Sequence, residues 1–121
     1  MRANLVMTSL RVLTWCCVAL LAVLSLLPAE DMARTGLPGW VEHFVAYAGS
    51  AAIAIAGYGA SRDVAQIIGG FWVYAAVLEY LQHFSPGRHP AIGDFAVSAL
   101  GALCGGLAIA LLSRRLAVWV R

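Results

Sequence analysis

Acidic, imidazole and amide side chains are concentrated near the ends of otherwise apolar segments of the chain. Glu79 and Gln82 are three residues apart, so on a helix they would lie on one face. His43 and Tyr47 are four residues apart and would share a face of an earlier helix in the same way. Such groups can bind a polar ligand through hydrogen bonds, or exchange a proton with it in general acid–base catalysis.

Two further residues extend this set. Arg88 follows a Pro-Gly turn after the segment that contains Glu79. Asp94 comes immediately before the next apolar segment, where a carboxylate can cap the free N–H groups of a helix. A Glu inside a membrane is costly unless it is paired or faces water, so Glu79 needs a partner, for which we consider Arg88, His43 and the amide of Gln82. The predicted ligand-binding residues are His43, Tyr47, Glu79, Gln82, Arg88 and Asp94.

Several kinds of site are disfavoured because their characteristic sequence motifs do not occur. No H-E-x-x-H or C-x-x-C pattern occurs, so we expect no metal site and no cofactor. No G-x-S-x-G elbow and no phosphate-binding glycine loop occurs either. Two alternatives to a binding site stay open. One is a membrane enzyme with Glu79 or His43 as general base, and the other is a structural or partner-binding bundle in which these residues only lock the helices together.

The composition predicts a membrane protein. Hydrophobic residues make up 62% of the chain and charged residues 12%, and the mean hydropathy is +0.84. A soluble domain carries roughly 25% charged residues, so most of this surface is expected to face lipid. The 121 residues are sufficient for a single domain, 1–121. The formal net charge of +2 includes no block of like charge, so nucleic acid is not expected as a partner.

Four apolar segments are separated by breaks that contain Pro, Gly or charged residues. Each segment approaches the roughly 20 residues that a helix needs to cross a bilayer. Inside lipid the backbone groups must pair within the segment, which requires a helix. The sequence therefore predicts an all-α fold, a four-transmembrane-helix bundle with helices at about 5–27, 41–60, 64–84 and 95–112. We expect Arg114 and Arg115 to close the fourth helix.

Small residues predict where these helices approach one another. Gly101 and Gly105 are four residues apart, on the helix face that begins with Asp94. This spacing lets two helix backbones come close in a membrane. The pairs 69–70 and 105–106 are also glycines in the middle of apolar segments, and we expect both pairs to lie at helix contacts.

The arginines predict the orientation of the chain in the membrane. Arg34 and Arg88 fall on one side of the four predicted spans. The opposite side holds Arg2, Arg11, Arg62, Arg114, Arg115 and Arg121. Because basic residues are enriched on the cytoplasmic side, both termini are expected to be cytoplasmic. The six predicted ligand-binding residues, which we call the polar cluster, would then lie at the outer end of the helices.

The ordered set of polar motifs resembles the VanZ-like membrane protein family. Its pattern is an E-x-x-Q followed by a P-G-R turn, here within 79–88, then an Asp and helical glycines, here Asp94, Gly101 and Gly105. The H-F-x-x-Y at 43–47 matches the family's second-helix pattern. With four helices in about the same length, the likeness spans nearly the whole chain. The chain departs from the family in two places.

These departures are local. Gly39 and Trp40 stand where the family often has an Asp-Lys pair, and Ser98 stands where it often has Asn. The resemblance implies a multi-pass protein of the bacterial inner (plasma) membrane and cell envelope. It also implies an association with resistance to glycopeptide antibiotics such as teicoplanin. The expected ligand is a polar group of a membrane lipid or cell-wall precursor, bound without catalysis.

Overall fold

Four long helices form the framework of the computed structural model, which describes residues 1–59 and 62–119. Their bounds are α1 (Arg2–Leu26), α2 (Gly39–Tyr58), α3 (Val64–Leu81) and α4 (Ile92–Trp119). Short 3₁₀ turns follow α1, at Ala29–Asp31, and α3, at Gln82–Phe84. All regular secondary structure in the described part of the chain is helical, which confirms the predicted all-α class.

The first three helices are recovered with shifted ends. α1 begins at Arg2 rather than residue 5, because helix propensity does not depend on hydropathy. α2 begins at Gly39, two residues before the predicted start, directly after Pro38 with its φ of −55°. The predicted end of that helix, residue 60, lies outside the described residues. The last three residues predicted for the third helix form the 3₁₀ turn Gln82–Phe84 instead.

The fourth helix differs most from its prediction. It begins at Ile92, so Asp94 lies in its first turn and not at the capping position expected from the sequence. The helix also continues past Arg114 and Arg115 to Trp119, so these arginines do not close it. The apolar run marks the lipid-compatible part of a helix, whereas Arg, Leu and Ala favour helix well beyond that part.

Three helical segments are long and apolar enough to cross a membrane, and this indicates an integral membrane protein. They are Arg2–Leu26, Val64–Phe84 and Ile92–Ala117. α2 is not among these segments of the described chain, and Glu42 and His43 lie in its first turns. It packs against all three other helices. Its buried residues are Tyr47, Ser50, Ala51, Ala54, Ile55 and Gly57.

The contact between α2 and α4 depends on glycine, as the sequence predicted. A Cβ atom added to Gly105 would lie 2.6 Å from Cα of Ala48, and one added to Gly101 would lie 3.0 Å from Cα of Phe44. The two helix backbones therefore touch. The prediction for Gly69 and its neighbour at position 70 was wrong, since added Cβ atoms there would meet nothing within 4 Å.

Arg11 joins α1 to α2 at the end of the molecule that lies away from the polar cluster. Its Nε donates a hydrogen bond of 3.0 Å to the carbonyl of Gly57. Its guanidinium also lies 5.0 Å from the ring centroid of Tyr58, within the range of a cation–π contact. The side chain thus supplies a donor to the C-terminal turn of α2, where helical carbonyls have no partner within the helix.

Candidate functional site

The loop between α3 and α4 holds the C-terminal end of α1. Arg88 donates from Nε to Leu27 (3.0 Å) and from Nη2 to the carbonyls of Ser25 (2.9 Å) and Leu24. The hydroxyl of Ser85 donates to the carbonyl of Leu26, at 2.8 Å. The last carbonyls of a helix have no partner inside it, and this loop supplies donors to four of them in succession.

Pro28 explains why α1 needs this external partner. In a continuing helix the residue at position 28 would donate its N–H to the carbonyl of Leu24, but proline has no N–H. Arg88 replaces that donor and adds a positive charge at the negative end of the helix dipole. The loop backbone contributes as well, because Ala29 N donates to Pro86 O at 3.0 Å. The P-G-R turn therefore has a structural role that sequence reasoning did not identify.

Arg88 keeps part of its guanidinium available. Its hydrogen bonds use Nε and Nη2, and within the described part of the chain Nη1 has no hydrogen-bonding partner. The side chain is half-buried and borders two cavities. Burial lowers the pKa of Arg88, and the nearby charge of Arg34 lowers it further. An anion beside Arg88 would raise this pKa again, because it would favour the charged guanidinium.

Glu79 has a different partner from those considered in the sequence analysis. Its Oε1 accepts a 2.8 Å hydrogen bond from the backbone N–H of Ala91, just before α4. Arg88 donates instead to the carbonyls of α1. The half-buried carboxylate thus joins the end of α3 to the start of α4. The cluster is consequently not organised around a Glu79–Arg88 ion pair.

A polar cavity of about 210 Å³ lies where the two loops meet α2 and α4. Four of the six predicted binding residues line it, namely His43, Gln82, Arg88 and Asp94. Sequence reasoning missed three further polar lining residues, which are Arg34, Glu42 and His89. None of the three was among the predicted binding residues, because a pattern along the chain does not reveal that two loops fold over one helix end.

His43 is oriented by a neighbour that was not among the predicted binding residues. Its Nδ1 lies 3.4 Å from the hydroxyl of Ser98, which is buried on α4. This contact occupies one ring nitrogen and leaves Nε2 for a ligand in the cavity. Asp94 and Ser98 are four residues apart, and this spacing indicates from the sequence that they share one face of α4.

A second, mostly apolar cavity of about 340 Å³ lies between α1 and α2. Tyr47 lines this cavity and not the polar one, and its ring packs edge-on against Phe71 with centroids 6.4 Å apart. Glu79 lines neither of the two cavities. The apolar lining residues on the helices, besides Tyr47, are Leu21, Leu24, Val41, Val45 and Ala46.

Removing the Glu79 carboxylate is expected to loosen the start of α4. In Glu79→Ala the N–H of Ala91 loses its acceptor, and a hydrogen bond to a charged group contributes about 1.5–3 kcal/mol. Glu79→Gln keeps an oxygen acceptor but loses the charge, so we expect an intermediate effect. Hydrogen–deuterium exchange at Ala91 measures this directly. Equal exchange in all three proteins would contradict the assigned bond.

Comparisons with known proteins add no further constraint. No family model, no curated protein and no solved structure matches the chain. The two adjoining cavities at one end of the helices, and the residues that line them, are therefore the features from which a function is inferred.

Proposed function

We propose that this chain is a VanZ-like protein of the bacterial plasma membrane, whose polar cavity recognises a polar group of a membrane lipid or cell-wall precursor. All four helices span the bilayer as a bundle, and both termini are cytoplasmic. The cavity then lies near the outer headgroups, where such ligands are found. The motif resemblance adds resistance to teicoplanin as a phenotype to be assayed by expression in a susceptible strain.

One observation carries this proposal: the polar cavity collects ionic and hydrogen-bonding groups from separate parts of the chain. His43 comes from α2, Gln82 from the end of α3, Arg88 from the following loop and Asp94 from α4. Gln82 is 4% exposed, so a buried amide forms part of the wall. Buried polar groups are costly unless they have partners, and a cavity lined by them suits a polar ligand.

The four-span arrangement is supported by the surroundings of α2. This helix has Glu42 and His43 in its first turns, which would be costly against lipid. It packs against α1, α3 and α4, and both polar residues border the cavities. The surface presented to lipid is then mostly that of α1, α3 and α4, which form most of the three segments long and apolar enough to cross a membrane. The excess of arginine on the side of the termini supports their cytoplasmic location.

A membrane enzyme is the second candidate, and it is favoured by the contact between His43 and Ser98. A histidine held through Nδ1 can act as a general base through Nε2. Ser98 itself is 2% exposed and does not line the cavity, so it suits an orienting role and not that of a nucleophile. The bond from Glu79 to the backbone of Ala91 makes Glu79 the weaker candidate base.

The proposal predicts that Asp94→Asn reduces ligand retention. Purified protein would be incubated with bacterial lipid extract that contains cell-wall precursors, and bound molecules would be identified by native mass spectrometry. We expect about tenfold weaker retention, the effect of removing one charged group from a binding site. Asp63→Asn is the matched control. Asp63 caps the N-terminal end of α3, away from the polar cavity, and the amide oxygen of Asn can still accept a hydrogen bond from Ala65 N.

The products distinguish the candidate functions. Retention of an unchanged ligand by the parent protein, lost in Asp94→Asn and kept in Asp63→Asn, supports recognition without catalysis. A modified product that disappears in His43→Gln supports the enzyme instead. If the parent protein retains no polar ligand, or if both Asp variants behave alike, the proposed recognition site is wrong.

A further inference from the structure

The polar and apolar cavities share part of their walls. Met32, Glu42, His43 and Arg88 border both of them. A molecule bound in one cavity would therefore lie directly beside the other. The two cavities together form an amphipathic site, which is polar toward the loops and apolar along the cleft between α1 and α2.

The sizes of the cavities argue that one ligand occupies both. Ligand sites in proteins usually enclose roughly 300–1,000 Å³. The polar cavity, at about 210 Å³, is below this range and suits only the head of a molecule. The apolar cavity, at about 340 Å³, has walls of Leu21, Leu24, Val41, Val45 and Ala46 that suit a hydrocarbon chain. Together the two cavities fall within the usual range.

The charges in the polar cavity indicate the chemistry of the head. Two guanidiniums, those of Arg34 and Arg88, face the same small volume, and an anion between them would reduce their repulsion. Arginine suits phosphate because its planar fork of donors matches the phosphate oxygens. Glu42 is already occupied, since its Oε1 accepts from the N–H (3.0 Å) and the hydroxyl (2.6 Å) of Thr35.

Asp94 differs from Glu42, because its charge interacts with that of Arg88 but its carboxylate is not held by a hydrogen bond in the described part of the chain. Within the described residues no hydrogen bond to its carboxylate is formed, although the residue is half-buried and lines the polar cavity. A carboxylate that has no hydrogen bond of its own and shares a cavity with two arginines accepts hydrogen bonds from hydroxyl groups and would repel a second phosphate. The head therefore combines a single phosphate with hydroxyl groups.

We propose that the ligand is a lipid with a hydroxylated phosphodiester headgroup, whose phosphate lies between Arg34 and Arg88 and whose hydrocarbon chain enters the cleft between α1 and α2. This inference rests on the proposed function and names the ligand class of the same site. The hydroxyl groups of the headgroup donate to Asp94, and His43 borders the junction of head and chain.

Phosphatidylglycerol is a suitable probe because it carries one phosphodiester and two hydroxyl groups. Native mass spectrometry would measure its retention by the detergent-purified full chain, with phosphatidylethanolamine and glycerol phosphate as competitors. Ala46→Phe fills the apolar cavity and is expected to weaken retention about tenfold. Ala76→Phe, an identical change at an exposed position of α3 that borders neither cavity, controls for folding and added bulk.

Several results would support or overturn the inference separately from the proposed function. We expect Ala46→Phe and Arg34→Gln each to weaken retention, while Ala76→Phe matches the parent protein. Equal retention by Ala46→Phe and Ala76→Phe, or equal competition by glycerol phosphate, would exclude the apolar cavity and leave head recognition standing. Equal retention of phosphatidylethanolamine would overturn the hydroxylated headgroup. Failure to retain any of the probes would overturn the inference, while the lipid-extract experiment tests the proposed function independently.

Discussion

Replacing Arg88 with Met is expected to lower the free energy of unfolding by about 3 kcal/mol. The side chain supplies donors to three carbonyls at the end of α1, and an unpaired buried carbonyl costs about 1–3 kcal/mol. The partial exposure of these groups places the expected sum near the lower end. The variant also loses a positive charge at a helix C-terminus, which contributes about 0.3–1 kcal/mol. Thermal unfolding in mild detergent, followed by circular dichroism, would measure the loss.

Two control variants separate capping from the mere removal of charge. Arg34→Met removes a guanidinium from the same cavity, but Arg34 is exposed, so we expect a change within about 0.5 kcal/mol. Arg88→Lys retains the charge on a compact ammonium that lacks the planar fork, and its stability should fall between that of the parent and that of Arg88→Met. If Arg88→Met and Arg34→Met were equally stable, the loop at 85–88 would not be holding α1.

Introducing a single methyl group at Gly105 is expected to destabilise the protein by about 3 kcal/mol, the upper part of the range for overpacked contacts. In Gly105→Ala the added Cβ would lie 2.6 Å from both Cα and the carbonyl carbon of Ala48. These are backbone atoms, so no side-chain rotation can relieve the overlap. α2 and α4 would have to separate, which would disturb the core around Ala51 and Ala102, both of which are fully buried.

Gly69→Ala is the matched control for this packing effect. Both glycines lie inside helices, where alanine is favoured over glycine by about 1 kcal/mol. At Gly69 the new Cβ would meet nothing within 4 Å, so we expect that gain alone. The two variants should change the free energy of unfolding in opposite directions relative to the parent protein, when all three are measured under the same detergent conditions. A stabilised Gly105→Ala protein would show that the α2–α4 approach is not as close as described.

The contrast between these two glycines illustrates a limit of sequence reasoning. Both belong to Gly-Gly pairs in apolar segments, and both were predicted to lie at helix contacts. Gly105 does, whereas Gly69 faces open space. The glycine pair shows only that a close approach is permitted. Whether another helix packs against Gly69 depends on how α3 is rotated about its axis, and all the contacts of α3 together determine that rotation.

Glu79 and Arg88 illustrate the same limit for polar partners. Their opposite charges and nearby positions suggested a mutual pairing, but each binds backbone groups instead. Charge complementarity is a property of residue types, whereas hydrogen-bond geometry depends on which orphaned backbone groups lie within reach. The proline that ends α1 creates such a group at Leu24, and the reach of Arg88 to it joins positions that are 64 residues apart.

The amino-acid sequence by itself determined the helical class, three of the four predicted membrane-compatible segments and the end of the molecule where polar residues gather. These follow from hydropathy, helix-breaking residues and local spacing, all of which act over a few turns of chain. Only the tertiary structure decided that four of the six predicted binding residues line one polar cavity, that Tyr47 lines the apolar one, that Glu79 lines neither and that Arg88 caps α1. Those outcomes depend on the rotation and register of whole helices against one another, to which residues far apart in the chain contribute jointly.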